Sequence, residues 1–154
     1  MDFTELMRAF GEKVGLEGLA PDGDGFCRIE IDGMSVSFMN HFESDTVVTW
    51  AEVSEPPADG VTELYRVLME SMFMGQATGG AAFSIEPESG KIFLHRVDSL
   101  KAADVDSFCA MLEKFVNVLE KWRQLIADFR PVAAAAEKNP GEGLPAFGGG
   151  FLQV

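Results

Sequence analysis

Residues 25–38 read GFCRIEIDGMSVSF and decide the fold, because this short stretch encodes a β-hairpin. Cys27, Ile29 and Ile31 alternate with polar residues, which is the two-residue period of a half-buried strand. The Asp32-Gly33 pair that follows is the strongest short hairpin signal in the chain. Apolar and polar residues alternate again after it, so the sequence predicts two antiparallel strands.

The segments on either side of this hairpin predict a helix and a third strand. Residues 46–53 are rich in β-branched side chains, contain Trp50, and complete an antiparallel meander. Residues 2–14 predict a first helix, in which Asp2 and Glu5 resemble a capping box and Gly15 is a plausible end. The apolar residues of this helix recur at helical spacing: Phe3, Leu6, Met7, Phe10 and Val14.

A second helix is predicted over residues 60–74, with Asp59 as its cap, and it is apolar on two sides. A helix on the surface of a monomer needs only one apolar stripe. The second stripe therefore predicts a homodimer interface, formed by Val61, Tyr65, Met69 and Phe73.

The rest of the folded region predicts a second hairpin, residues 81–85 and 91–97, followed by a long helix from Asp104 to Arg130. The apolar positions of that helix are spaced alternately by three and four residues. A coiled coil is one interpretation, and a helix that covers a sheet is the favoured one. The predicted fold class is α+β: helix, three-stranded meander, helix, β-hairpin and long helix, with the antiparallel sheet packed on helices.

The domain boundary is predicted at Pro131, where the composition changes. Residues 1–130 are expected to form one domain. Residues 131–154 hold an alanine run and many glycines and prolines, which predicts a flexible tail. The last four residues, 151–154 (FLQV), are apolar enough to dock on a partner surface.

The charge of the chain restricts its partners. Twelve basic residues stand against 25 acidic ones, for a formal net charge of −13. This balance argues against nucleic acid and against an anionic membrane surface as partners. The first residues lack the basic start of a signal peptide, and we expect Cys27 and Cys109 to be reduced thiols. The expected location is the cytoplasm.

Motifs for catalysis are weak. The chain has no phosphate-binding loop and no nucleophile elbow, and we expect neither enzymatic activity nor a cofactor. His41, Glu43 and Asp45 form a polar group that could hold a metal or line a small active site, but a loop is the favoured interpretation and no metal is expected. Residues 22–25 (DGDG) are interpreted as a turn rather than a calcium loop. Thirteen Phe and eight Met instead favour a binding protein.

The order of elements resembles the Tir-chaperone family of type III secretion chaperones. The resemblance covers residues 3–129, and the segments that carry it are the opening helix with Gly15-Leu16, residues 25–33, residues 64–73 with Gly79-Gly80, residues 92–94 and the stripe Phe108, Leu112, Phe115, Leu119, Trp122 and Leu125. It implies a cytoplasmic homodimer without ATPase activity. Such a dimer binds the N-terminal segment of a secreted effector and keeps it secretion-competent. A chaperone-like regulatory protein, either similar to YbjN or sequestering a transcriptional regulator, is the alternative.

The expected client contacts lie where the first helix meets the sheet. A helix of about 13 residues is only marginally stable on its own, so it must pack on other elements. Helix and sheet together are expected to leave a groove for the partner, whose contact residues are Phe3, Met7, Phe10, Phe38 and Phe93.

Overall fold

A computed structural model of the protein describes residues 1–41, 44–101 and 104–132, and these residues form an α+β fold. A short 3₁₀ helix, Phe73–Gly75, follows the second of three helices. The elements are, in chain order, α1 (Phe3–Val14), β1 (Phe26–Ile31), β2 (Met34–His41), β3 (Thr46–Ser54), α2 (Val61–Ser71), β4 (Ala82–Ile85), β5 (Ile92–Ser99) and α3 (Val105–Ala127). The predicted order of elements is confirmed, and the predicted boundaries differ by a few residues.

The strands form a single antiparallel sheet in the order β1-β2-β3-β5-β4. Asp32 and Gly33 form the two-residue turn of the first hairpin, with φ angles of 49° and 75°. Positive φ at both positions matches the twist of the strands they join, which is why an Asp-Gly pair is favoured there. The last strand, β5, lies between β3 and β4. The second hairpin therefore pairs with the meander through β5, and β4 forms the edge of the sheet.

Helices α1 and α3 cover one face of the sheet. The Phe108 ring of α3 lies 5.2 Å from Phe10 of α1 and 5.6 Å from Phe38 of β2, between ring centroids. The predicted stripe of α3 faces this core, so the sheet-covering helix is the observed arrangement and the coiled coil is not. Its buried residues are Phe108, Leu112, Phe115, Val116, Leu119, Trp122 and Ile126.

The helix ends show where local sequence signals succeed and where one fails. Asp2 and Glu5 form the predicted capping box: the Glu5 N–H donates to Asp2 over 2.8 Å and the Asp2 N–H donates to Glu5 over 3.0 Å. Gly15 ends α1 with a left-handed φ of 79°. The prediction that Asp59 caps α2 is wrong. Gly60 occupies the cap position instead, with a φ of 72° that favours glycine.

Among the described residues, no helix has the length and apolar character needed to cross a membrane.

Candidate functional site

The sheet presents a second face, turned away from α1 and α3, which we call the outer face. Along β3 the inward side chains are buried, whereas the outward side chains remain partly exposed. The strand register aligns the outward residues in rows that run across the sheet. The central row contains one residue from each strand: Arg28, Ser37, Trp50, His95 and Ala82.

A neighbouring row on the outer face is entirely apolar, and we call it the apolar row. It consists of Phe26, Met39, Val48 and Val97, which are paired from strand to strand. Met39 is 39% exposed and Val97 is 59% exposed. Apolar side chains that line up on an open sheet face are typical of a surface that another chain covers.

Aromatic and cationic groups border the apolar row at the β1 end. The Phe26 and Trp50 rings lie 5.8 Å apart between centroids, with a 52° angle between their planes. The Arg28 guanidinium carbon lies 5.3 Å from the centre of the Phe26 ring, a cation–π geometry. Arg28 Nε also donates to Ser37 Oγ over 3.2 Å. These contacts hold Arg28 flat against the sheet rather than free in solvent.

Polar groups border the outer face near β4. Ser84 Oγ lies within hydrogen-bond distance of His95 Nδ1, at 3.2 Å. Lys91 Nζ lies 2.9 Å from Glu55 and 3.0 Å from Glu52. The hydrogen bonds that Lys91 donates to Glu55 and to Glu52 raise the pKa of Lys91 above its usual value, and the bond to Glu55 has the larger effect. Lys91 therefore offsets one of the two acidic charges at this end of the face.

The two edges of the sheet differ in how open they are. At the β1 edge, the turn at Asp22 closes only the first position: the Asp22 N–H donates to the Phe26 carbonyl over 2.8 Å, and the Phe26 N–H donates to Asp22 Oδ1 over 2.9 Å. Backbone groups alternate in direction along a strand, so those of Arg28 and Glu30 point away from β2 as well. Within the part of the chain that the structure describes, the β1 edge is thus open beyond Phe26.

The β4 edge is partly closed by the segment after α2. The Phe83 N–H donates to the Met72 sulfur over 3.1 Å, an unusual partner for a strand amide. The Phe83 ring packs against the Trp122 ring of α3, with 5.1 Å between ring centroids. Strand addition is therefore easier at β1 than at β4.

A second exposed apolar surface lies at the end of α2, and we call it the α2 patch. Met69 is 70% exposed, Phe73 is 78% exposed and Met74 is 76% exposed. Val61 and Tyr65 of the same stripe are half-buried. Leu64 and Leu68, on the other stripe, are buried in the core. The two-sided character predicted for α2 is observed, and the dimer that it would serve stays a prediction.

The predicted client groove is not open in this chain. Phe3, Met7, Phe10 and Phe38 are all buried in the core, with exposures between 0% and 3%. The physical reason is that α1 has a single apolar stripe, and all of it except Val14 packs into the core, with Phe10 against Phe108 of α3. These four side chains are core residues rather than a contact surface. Phe93 lies on the outer face, where it pairs with Glu52, and is half-buried.

The outer face was not predicted as a site, although the sequence of β3 carries a signal for one. Val48 and Trp50 lie between the buried residues Val47, Thr49 and Ala51, so β3 is apolar on both faces. A strand with water on one face normally alternates between apolar and polar residues. The departure from that alternation marks the outer face as a surface for a partner.

The remaining sequence candidates have simple structural roles. Asp22 accepts hydrogen bonds from the Asp24 and Phe26 N–H groups, so the DGDG stretch is the predicted turn. Cys27 is buried, which raises the pKa of its thiol, and Cys109 is also a free thiol. The polar group of His41, Glu43 and Asp45 is described only in part, because Glu43 lies outside the described residues.

The chain belongs to the Tir chaperone protein (CesT) family, whose family model matches residues 5–123. A protein of Chlamydia pneumoniae, CPj0713/CpB0740, is 24% identical over 120 residues, which cover 77% of this chain and 91% of that protein. The tail falls beyond the matched region, and its residues 133–154, which include the four final residues, lie outside the described residues.

Several solved structures have the same fold. A chain of the ExsC–ExsE complex superposes with a TM-score of 0.69 at 22% identity and covers 87% of this chain and 100% of that one. A chain of the HopA1–SchA chaperone–effector complex gives 0.67 at 12% identity and covers 79% and 93%. The Yersinia pestis type III secretion chaperone SycH, in complex with a fragment of YscM2, gives 0.60 at 15% identity and covers 78% and 98%.

Proposed function

We propose that this chain is a cytoplasmic bacterial type III secretion chaperone, which binds the N-terminal segment of a secreted effector and keeps it secretion-competent. The observation that carries the proposal is the apolar row Phe26, Met39, Val48 and Val97, uncovered beside the open edge of β1. Membership of the Tir chaperone family supports it, as does the likeness in fold to chains from chaperone complexes.

An extended client segment fits this surface by two kinds of contact. Its backbone adds a strand at the β1 edge, where the amide and carbonyl groups of Arg28 and Glu30 point outward. Its apolar side chains cover the row that begins with Phe26. The segment pays the entropy of ordering when it binds, so a large contact area yields a complex that can still be released. A binding protein of this kind needs no catalytic group.

The α2 patch is proposed to hold two copies together. The proposed contacts are Met69 and Phe73 of the patch together with Val61 and Tyr65 of the same stripe, and Phe73 is the most exposed of the four. A two-fold interface brings the same patch from both protomers into contact, so each exposed side chain is buried once in each protomer. A client that is longer than one sheet then has two outer faces to contact. The acidic surface keeps the unloaded dimer soluble.

The test is purification of the full-length tagged chain from its native host, with identification of the bound protein and truncation of that protein. The expected result is one partner, a secreted protein, which is held through its N-terminal region of roughly 100 residues, the length of a wrapped segment. Trp50→Ser should release the partner, because it opens a hole beside the apolar row. Val14→Ser is the control, since Val14 is 47% exposed at the far end of α1.

Two outcomes contradict the proposal. A partner that is retained in full by Trp50→Ser, with the circular dichroism spectrum unchanged, excludes the outer face as the client surface. A partner that is not secreted, such as a transcriptional regulator encoded away from secretion genes, replaces the chaperone with a regulatory binding protein.

A further inference from the structure

Two charged side chains of β1 have no ionic partner among the described residues, in a molecule that carries 25 acidic and 12 basic residues. Arg28 and Glu30 are both exposed on the outer face, two positions apart. Across the ranges that the structure describes, neither residue takes part in an ion pair. Their partners across the β1–β2 ladder are Ser37 and Ser35, which are uncharged. Among the described residues, these two opposite charges therefore stand along the sheet edge without an ionic partner.

Arg28 is held in a fixed position rather than left to rotate. Its guanidinium lies over the Phe26 ring, and its Nε donates to Ser37 Oγ. Both contacts leave the terminal Nη groups available for a carboxylate. A positioned guanidinium loses less side-chain entropy when it binds an anion than a mobile one does.

The backbone of the same two residues faces the open edge. The Phe26 N–H and carbonyl bond to Asp22, away from β2, and the two-residue alternation sets Arg28 and Glu30 in the same outward direction. In an antiparallel pair, the residues opposite them would have their Cβ atoms about 4.5–5.5 Å away on the outer face. Ile29, between them, is 5% exposed and turned to the core side.

We propose that the β1 edge selects its client segment by charge register, accepting the order basic–apolar–acidic in an antiparallel added strand. This rests on the proposed function, because it requires an extended segment to bind at this edge. The acidic residue pairs with Arg28 and the basic residue pairs with Glu30. The apolar residue between them lies opposite Ile29, at the margin of the core. The order follows from the antiparallel direction, since the client residue opposite Glu30 precedes the one opposite Arg28.

The test uses a displayed library of random decapeptides, selected on the immobilised full-length chain. Enriched sequences are expected to carry a basic and an acidic residue two positions apart, in that order. The swap variant Arg28→Glu with Glu30→Arg should invert the order to acidic–apolar–basic. Reversal of two cross-strand charge pairs should change the affinity of a selected peptide by roughly ten-fold.

The control swap is Glu113→Lys with Lys114→Glu, two exposed residues of α3. It should leave the selected order unchanged. Enriched peptides whose charge order is the same for wild type and the β1 swap would overturn the charge register alone. Failure of the wild-type chain to enrich any peptide would overturn the proposed segment binding, and the charge register with it.

Discussion

Replacement of Phe73 by Ser is expected to break the proposed homodimer while leaving each protomer folded. Full burial of a Phe side chain stabilises an association by about 1.5–3 kcal/mol. Phe73 is 78% exposed in the single chain. Its burial at an interface is then worth about 1.2–2.3 kcal/mol per protomer, and about twice that in a two-fold dimer. Since each 1.4 kcal/mol is a factor of ten, the dimer Kd should rise roughly 50- to 2,000-fold.

Sedimentation equilibrium over a concentration series measures this change. Wild type should sediment at twice 16.7 kDa, and Phe73→Ser should approach the mass of one chain at the same concentrations. Met39→Ser is the matched control, because Met39 is exposed on the outer face and away from the α2 patch. The reasoning is refuted if wild type is a monomer at micromolar concentration, or if Phe73→Ser and Met39→Ser dissociate equally.

Three further substitutions test the energetics of the fold by urea unfolding. Gly60→Ala should lower the free energy of unfolding by more than about 1 kcal/mol, because φ is 72° and the new Cβ would lie 2.5 Å from Pro131. Gly18→Ala is the control: its Cβ would enter open space, so the free energy of unfolding should fall by less. Equal losses in the two variants would contradict the role of the contact with Pro131. Trp122→Phe removes a 3.0 Å indole hydrogen bond to a backbone carbonyl and should cost about 1 kcal/mol; an unchanged midpoint would discount this bond. A hydrogen bond from a first-turn backbone N–H lowers the pKa of Asp104. The stability that this carboxylate adds is therefore present at neutral pH and is lost as the pH falls through the lowered pKa. The advantage of wild type over Asp104→Asn should shrink in acid, and a difference that stays constant with pH would refute this role of Asp104.

The local structure was predictable because each element carries its own signal. The Asp32-Gly33 turn, the capping box at Asp2 and the apolar period of α3 depend on residues close together in the chain. Such signals act through backbone conformation and side-chain periodicity, which the sequence displays directly.

The sheet order and the location of the site were not predictable in the same way. The insertion of β5 between β3 and β4 depends on contacts between segments that are far apart in the chain. The predicted groove at Phe10 and Phe38 is not open, because both side chains are buried in the core. An apolar residue on one face of a helix or a strand gives the same sequence pattern whether a partner or the core covers it. Only the packing of α1 on the sheet distinguishes the two.

Hydrogen–deuterium exchange on the complex with its co-purified client tests the central claim most directly. If the client adds a strand at the open edge of β1, the amides of Arg28 and Glu30 should exchange much more slowly in the complex than in the unloaded chain. The Phe26 amide, which already donates to Asp22, should change less. Equal exchange of the Arg28 and Glu30 amides with and without client would contradict strand addition at this edge.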